Sequence, residues 1–401
     1  MTTQQEHVRP AAFAGVKSVV ELFKSNIREY GMLVALLVIM LFFQLRTSGI
    51  LLQPLNVTNL ILQNSYIVVM ALGMLLVIVA GHIDLSVGSV AAFTGSVAAI
   101  MMVRNDTNYF VAGFVCLLVG AVIGAVQGFW VAYMRIPAFI VTLAGMLVFR
   151  GLTQVVLEGT NIGPFPPTFQ KLSTGFIPNP LGGTSLHLTT LAVGAVLSAI
   201  VVYLDIRARA NQRKFKFAVM AMPLFVIKNV LITTVIMSLC YLLAQYKGLP
   251  NVLIVLIVLI AFYAFVTNRT VIGRRIYALG GNEKAAKLSG VNTSRLTFYT
   301  FVNMGVLAAA AGLILVARFN SATPKAGVGF ELDVIAAAFI GGASASGGVG
   351  KVIGAVIGAF VMGVMNNGMS IIGIGVDWQQ IIKGLVLLLA VYFDVYNKNK
   401  A

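Results

Sequence analysis

Asn366 and Asn367 stand side by side in an apolar stretch, and each carboxamide can both donate and accept hydrogen bonds. An amide pair of that kind can handle an uncharged polar solute without adding net charge. Arg150, Lys228, Asp333 and Lys383 are further polar groups in, or at the ends of, long apolar runs. Ionisable groups there are costly, so each is a candidate for function, although a long cation near a run's end can also reach the surface. Asp84 and Ser86 belong to the interruption Gly81-His82-Ile83-Asp84-Leu85-Ser86-Val87-Gly88-Ser89. Asp84 has the pattern of a helix N-cap for a run beginning at 86, and it also stands where a polar path would pass. Arg150, Asn366, Asn367, Asp84 and Ser86 are therefore the candidate path residues.

Groups for covalent chemistry do not assemble. The three histidines and two cysteines, Cys116 and Cys240, show no metal-ligand spacing, and neither Gly-x-Ser-x-Gly nor His-Glu-x-x-His occurs. Gly350-Lys351 resembles the end of a phosphate-binding loop, but Ala345 stands at its first glycine and Val352 at its Ser/Thr position. The expectation is a chain that is not an enzyme, holds no metal and carries no cofactor of its own.

The elements that must position these groups are membrane helices. Of 401 residues, 59% are hydrophobic and 10% charged, and the mean hydropathy is +0.94. That composition excludes a soluble domain and points to an all-α polytopic membrane protein. Apolar runs cover roughly 31–45, 59–80, 86–103, 109–133, 136–157, 188–205, 222–245, 249–268, 297–318, 331–350, 351–372 and 378–396. The first is short, and the runs at 331–350 and 351–372 are broken by glycine. About ten spans are expected from up to twelve apolar segments, with one pair re-entrant or half-inserted. Forty glycines suit close helix packing. Gly-Ala-Val-Ile-Gly-Ala occurs at 120–125 and again at 354–359, each inside a ladder of glycines four apart. The echo is compatible with two related halves and equally with chance in a glycine-rich chain.

The net charge of +16 lies in the loops, so positive-inside bias explains it without a nucleic-acid partner. With the N-terminus inside, roughly 19 of the 28 Lys and Arg fall on the cytoplasmic side, and both termini are cytoplasmic. Residues 1–29 form an expected amphipathic segment for the membrane surface, with Phe13, Val16, Val20, Phe23 and Ile27 on one face and no cleavable leader pattern. Residues 30–401 form one transmembrane domain. Loop 158–187 holds five prolines and reads either as a plain connector or as an outer rim that docks something, with Phe165, Pro166 and Phe169 as candidate contacts.

The island at 269–296 carries six Lys or Arg: Arg269, Arg274, Arg275, Lys284, Lys287 and Arg295. Asn282-Glu283-Lys284-Ala285-Ala286-Lys287-Leu288 reads as a short helix stopped at Gly290. A loop that only reversed the chain has no need of a capped helix; a loop that pressed on a soluble partner does.

Three segments resemble the permease subunits of bacterial ABC importers for monosaccharides: the 81–89 segment above, Ile136-Pro137-Ala138-Phe139-Ile140-Val141-Thr142-Leu143-Ala144-Gly145 with the residues on to Gly151, and 273–291. Glycine-rich 341–350 and Asn367-Gly368-Met369-Ser370 support them. His82 departs from the glutamate or glycine expected at its position, and Gly163-Pro164-Phe165-Pro166-Pro167 leans toward multiple-sugar permeases. The resemblance implies an inner-membrane subunit of ten spans, paired with a second copy around a central path. It implies an ATPase subunit with tandem nucleotide-binding domains, which alone binds ATP and magnesium, and a periplasmic sugar-binding protein. Membrane lipid surrounds the chain. The cargo would be xylose, or several sugars such as arabinose, galactose and glucose, moved by alternating access. By the same resemblance 273–291 couples to the ATPase through Arg274, Arg275, Tyr277, Ala278, Gly280, Asn282, Glu283, Ala286, Lys287 and Gly290. A permease for branched-chain amino acids or nucleosides, and an ion-coupled carrier, are the alternatives.

Overall fold

The computed structural model describes residues 27–183, 186–217 and 219–400. The amphipathic N-terminal segment therefore lies outside the described residues up to residue 26. The chain opens with α1 (Ile27–Arg46), α2 (Pro54–Val79), α3 (Val87–Ala99, continued by a π turn to Arg104), α4 (Tyr109–Ala132) and α5 (Ala138–Leu157). Next come α6 (Pro167–Thr174), α7 (Leu188–Lys214), α8 (Met222–Ala244), α9 (Asn251–Arg269), α10 (Val271–Gly281) and α11 (Glu283–Leu288). The last are α12 (Thr293–Phe319), α13 (Phe330–Ile340), α14 (Val352–Ile371) and α15 (Val376–Lys400). Ten of these, α2–α5, α7–α9, α12, α14 and α15, are long and apolar enough to cross a membrane, as the sequence pattern predicts. Among the described residues no strand forms beyond two isolated backbone pairings.

Two helices make the core. α2 and α12 are apolar on nearly all faces, and such helices are stable only when other helices surround them. Met70, Leu72, Leu75 and Ile78 of α2 meet Phe301, Met304 and Ile314 of α12, all buried. α4 lies against α12 along its glycine ladder. A side chain at Gly120 would collide with the Gly305 carbonyl, and one at Gly124 with the Phe301 carbonyl. The second ladder does the same work elsewhere: Gly354 and Gly358 of α14 face Gly341 and Ala337 of α13. The repeated hexapeptide therefore marks two close helix contacts, the geometry small residues permit in a membrane.

The glycine-broken run 331–350 is not a span. From Asn320 the chain turns inward, and Gly327 packs against Gly88 at the start of α3. α13 begins there. Its 11 residues rise about 16 Å, half of the ~30 Å apolar layer. It ends at Ile340, and in the loop that follows Gly348 donates to the Val79 carbonyl at the foot of α2 (2.8 Å). A short helix starting inside the membrane is tolerated only where protein covers its free ends. α2, α14 and α15 pack against it and provide that cover.

The far rim is stitched together. Ile162 and Ala322 exchange both backbone hydrogen bonds (3.0 and 2.9 Å), and Ile177 and Asn251 bond to Leu249 and Gly175 (3.0 and 2.9 Å). Loop 158–187 is thereby fixed to the turns preceding α9 and α13. Phe165 and Phe169 differ from the expectation of outward contacts. Both rings are buried beside Leu157 and Ala322, because a loop this rich in proline lacks internal ladders and must be held by its apolar side chains. Pro166 is half-buried.

Candidate functional site

The start of α13 gathers polar groups from three other helices. Arg150 Nη2 of α5 donates to Glu331 Oε1 at 2.8 Å. Lys383 Nζ of α15 lies 3.0 Å from Asp333 Oδ1, and Asn366 Nδ2 of α14 donates to Asp333 Oδ2 at 3.3 Å. Glu331 and Asp333 occupy the first turn of α13, where the positive end of the helix dipole favours anions. The two acids and two bases of these ion pairs carry no net charge between them. Its hydrogen-bonding capacity is not used up. Arg150 Nε, Glu331 Oε2 and Asn366 Oδ1 have no partner among the described residues. Buried polar atoms are normally satisfied, so spare donors and acceptors at mid-depth fit contact with a polar solute or its water.

The candidate path residues divide. Arg150 and Asn366 belong to this cluster. Asn367 does not, because one residue along a helix rotates the side chain about 100° to another face. Asn367 is buried against Asn56 of α2, and the two amides donate to each other (2.9 and 3.1 Å). Asp84 and Ser86 lie at the foot of α3. Asp84 Oδ1 accepts from the Ser86 backbone N–H (2.8 Å) and from its hydroxyl (2.6 Å), and Gln127 Nε2 donates to Ser86 Oγ (2.9 Å). Asp84 thus ties the turn before α3 and does not cap the helix; the N-cap position is Ser86 itself, with no side-chain cap bond. The next turn touches the cluster, since a side chain at Gly88 would meet Glu331 Oε2 at 2.8 Å.

The second site is the platform α10–α11. Thr270 caps α10 by accepting from Gly273 N–H (3.1 Å), and Asn282 caps α11 by accepting from Ala285 N–H (3.0 Å). Gly290 closes the motif with φ +80°, a left-handed conformation that glycine adopts without strain. Ile276, Leu279 and Ala286 are buried and seat the platform. Gly280 presses on the Val79 carbonyl, and Tyr277 Oη donates to the Gly350 carbonyl at 2.6 Å. Burial pushes the Tyr277 phenol above its usual value, so it stays a donor. Tyr277, Gly280 and Ala286 therefore anchor the platform inward. Arg274, Arg275, Ala278, Asn282, Glu283, Lys287 and Gly290 face outward.

Beneath α11 lies a cavity of about 400 Å³ bordered by His82, Arg135, Glu283, Lys284, Lys287 and Thr297. Burial lowers the His82 pKa, and Glu283 pulls it part of the way back. The imidazole is neutral at neutral pH and fits a platform already rich in cations.

Four residues with parts in these sites were not candidates on sequence alone: Glu331, Asn56, Gln127 and Leu288. Glu331 carried a signal, an acid two residues before Asp333 in an apolar run. Asn56 and Gln127 carried none, for their partners are distant in the chain. Leu288 is 90% exposed at the end of a rigid capped helix, a feature only a surface reveals.

The tie between Asn56 and Asn367 makes a specific prediction. Asn367→Leu removes both bonds between the amides and leaves the half-buried Asn56 with its bond to the Leu51 carbonyl (2.8 Å), a loss of about 1 kcal/mol, whereas Asn56→Leu with Asn367→Leu removes both amides and should recover most of it. Thermal unfolding of the purified variants reads the difference. Equal loss in the single and double variants would remove the pair as a tie.

The family described as branched-chain amino acid transport system / permease component matches residues 56–391. The xylose transport system permease protein of Haemophilus influenzae is 40% identical, over 94% of this chain and 98% of that protein. Its namesake in Escherichia coli is 39% identical, over 97% and 95%. The ribose import permease protein of Escherichia coli is 36% identical, over 84% and 85%. No solved structure is significantly similar to the chain. Matched over residues 56–391, and with relatives 36–40% identical over most of their length, the chain belongs to the branched-chain amino acid transport system / permease component family.

Proposed function

We propose that the chain is the membrane-spanning subunit of an ATP-driven importer that moves a monosaccharide by alternating access. The electroneutral cluster at the start of α13 carries this reading. A neutral polar solute needs hydrogen-bond partners and no net charge, and the cluster offers that combination. Both of its acids already have cations, so neither adds net charge. The names of the curated relatives, xylose and ribose permeases, support a pentose over an amino acid or nucleoside.

Arg150 keeps 32% of its side chain exposed and Lys383 keeps 20%. Charges in that position do not face lipid. The α5–α15 side is therefore the side that a second copy covers, with the path between the two copies. The platform α10–α11 meets a separate ATPase subunit, which binds ATP and magnesium. The stitched far rim receives a periplasmic sugar-binding protein through its exposed polar edge, with Phe165 and Phe169 holding the loop from below. The bias of Lys and Arg toward these loops supports a cytoplasmic platform and cytoplasmic termini.

The test is uptake into vesicles holding the chain with its ATPase subunit and binding protein, with no ion gradient. ATP-dependent uptake of xylose above ribose and leucine is expected. Uptake that needs an ion gradient and no ATPase subunit would favour the carrier instead. In the same vesicles Asn366→Leu should keep normal abundance and lower the maximal rate several-fold, with little change in apparent affinity. An unchanged rate removes Asn366 from the path.

A further inference from the structure

The α7–α8 hairpin stands apart from the cluster and the platform. α7 packs along α8 and makes little other contact with the molecule. Between the two helices, in the halves nearer the platform side, runs an open groove of about 820 Å³. Its walls are apolar, formed by Val202, Ile206, Met222, Val226 and Val230. Its mouth is cationic, with Arg213 in the lining and Lys214 and Lys216 beside it in the chain. From 205 to 228 the chain carries six Lys or Arg and a single carboxylate, Asp205.

That carboxylate is already engaged. Lys228 Nζ lies 2.6 Å from its Oδ2, and Asn229 Nδ2 donates to it at 2.9 Å. Arg209 is engaged as well. Its Nη1 donates to the Met220 carbonyl at 2.7 Å, and its guanidinium sits 4.6 Å from the Phe225 ring centre. Arg209 thus fixes the floor of the groove. Arg213 is exposed and has no hydrogen-bond or ion-pair partner among the described residues.

Positive-inside bias accounts for cations in a loop, but not for an apolar cleft beneath them. The distance from Arg213 to Val202 along α7 is about 16 Å. That is about half of the ~30 Å apolar layer, the reach of one leaflet's acyl chains. We propose that the groove holds an anionic glycerophospholipid of the platform-side leaflet. Its phosphate and acidic headgroup meet Arg213 and Lys214, and an acyl chain lies along Ile206, Val202, Val226 and Val230. Basic pockets between membrane helices recognise acidic headgroups in this way. A zwitterionic lipid brings its own ammonium to the same place and gains little.

The probe is phosphatidylglycerol, against phosphatidylcholine at equal concentration, added to the purified full-length chain and read by native mass spectrometry. Wild type is expected to retain phosphatidylglycerol preferentially. Arg213→Gln with Lys214→Gln should cut that retention at least five-fold and leave phosphatidylcholine unmoved. Arg269→Gln with Arg295→Gln, a matched loss of two charges on the same side outside the groove, should change nothing. Val226→Trp, which fills the groove and leaves every cation in place, should also displace phosphatidylglycerol. Equal retention of both lipids by wild type overturns the proposal. So does full retention in the arginine–lysine variant. Loss in that variant without loss in Val226→Trp also overturns it, because the cations would then act as bare surface charge.

Discussion

Glu331→Leu is expected to lower the abundance of folded protein in the membrane several-fold. It strands the Arg150 guanidinium in the apolar layer without its carboxylate. Breaking a buried pair by deleting one partner costs about 3–5 kcal/mol, against a total stability of about 5–15. Arg150 is 32% exposed, so water screens part of that cost and the lower end of the range applies. Arg150→Leu should be damaging for the mirror reason, since it leaves the Glu331 carboxylate alone. Arg150→Leu combined with Glu331→Leu should restore abundance, because both charges leave together. Membrane abundance and thermal unfolding in detergent give the comparison. Uptake then separates two roles. A double variant with normal abundance and uptake below about a tenth of wild type places the pair in the path, by the reading above. Recovery of both makes it a staple for α13. A single variant with normal abundance and melting would show that the pair does not hold α13.

Leu288→Asp is expected to detach the ATPase subunit while leaving the permease folded. Leu288 is 90% exposed, so no internal contact is lost. Burying a leucine fully on a partner contributes about 1.5–3 kcal/mol, or roughly ten- to a hundred-fold in affinity. Copurification of the ATPase subunit should fall by that factor with membrane abundance unchanged. Glu283→Gln should cost far less, because exposed ion pairs contribute under about 1 kcal/mol. Bulk at Gly280 tests something else. It would collide with the Val79 carbonyl and lift the platform from α2, so its failure would report the seat and not the contact. Normal copurification of Leu288→Asp would mean that α11 is not the contact.

Much of this architecture is legible along the chain. Apolar runs fix the helices, because each must satisfy its own backbone in lipid. The capped helix at 282–290 follows from Asn282 and Gly290, whose roles are local. The glycine break near 341–350 signals a half-inserted element, but not its depth, which depends on Gly327 reaching Gly88. The cluster is harder to read. Arg150 and Glu331 lie 181 residues apart, and pairings over such distances leave no local pattern. Asn366 and Asn367 show the opposite problem: sequence neighbours share no face on a helix. Phe165 and Phe169 look like surface aromatics because their loop is polar, and the structure turns them inward because that loop has little else to hold it.

The half-helix also constrains how the chain is made. An isolated carboxylate at the middle of a membrane helix costs about 2.5–3.5 kcal/mol on insertion, and α13 brings two on 11 residues. Such a segment has no reason to enter lipid alone. Arg150 has already been synthesised when α13 emerges, but Lys383 follows Asp333 by 50 residues. Between those moments Asp333 has neither its lysine nor the amide of Asn366. The segment 323–351 must therefore wait at the edge of the bilayer, or in the insertion machinery, until α14 and α15 arrive. A nascent chain cut before Lys383 would keep every long span but α15 and still fail to complete its centre, so assembly of this permease is decided by α15.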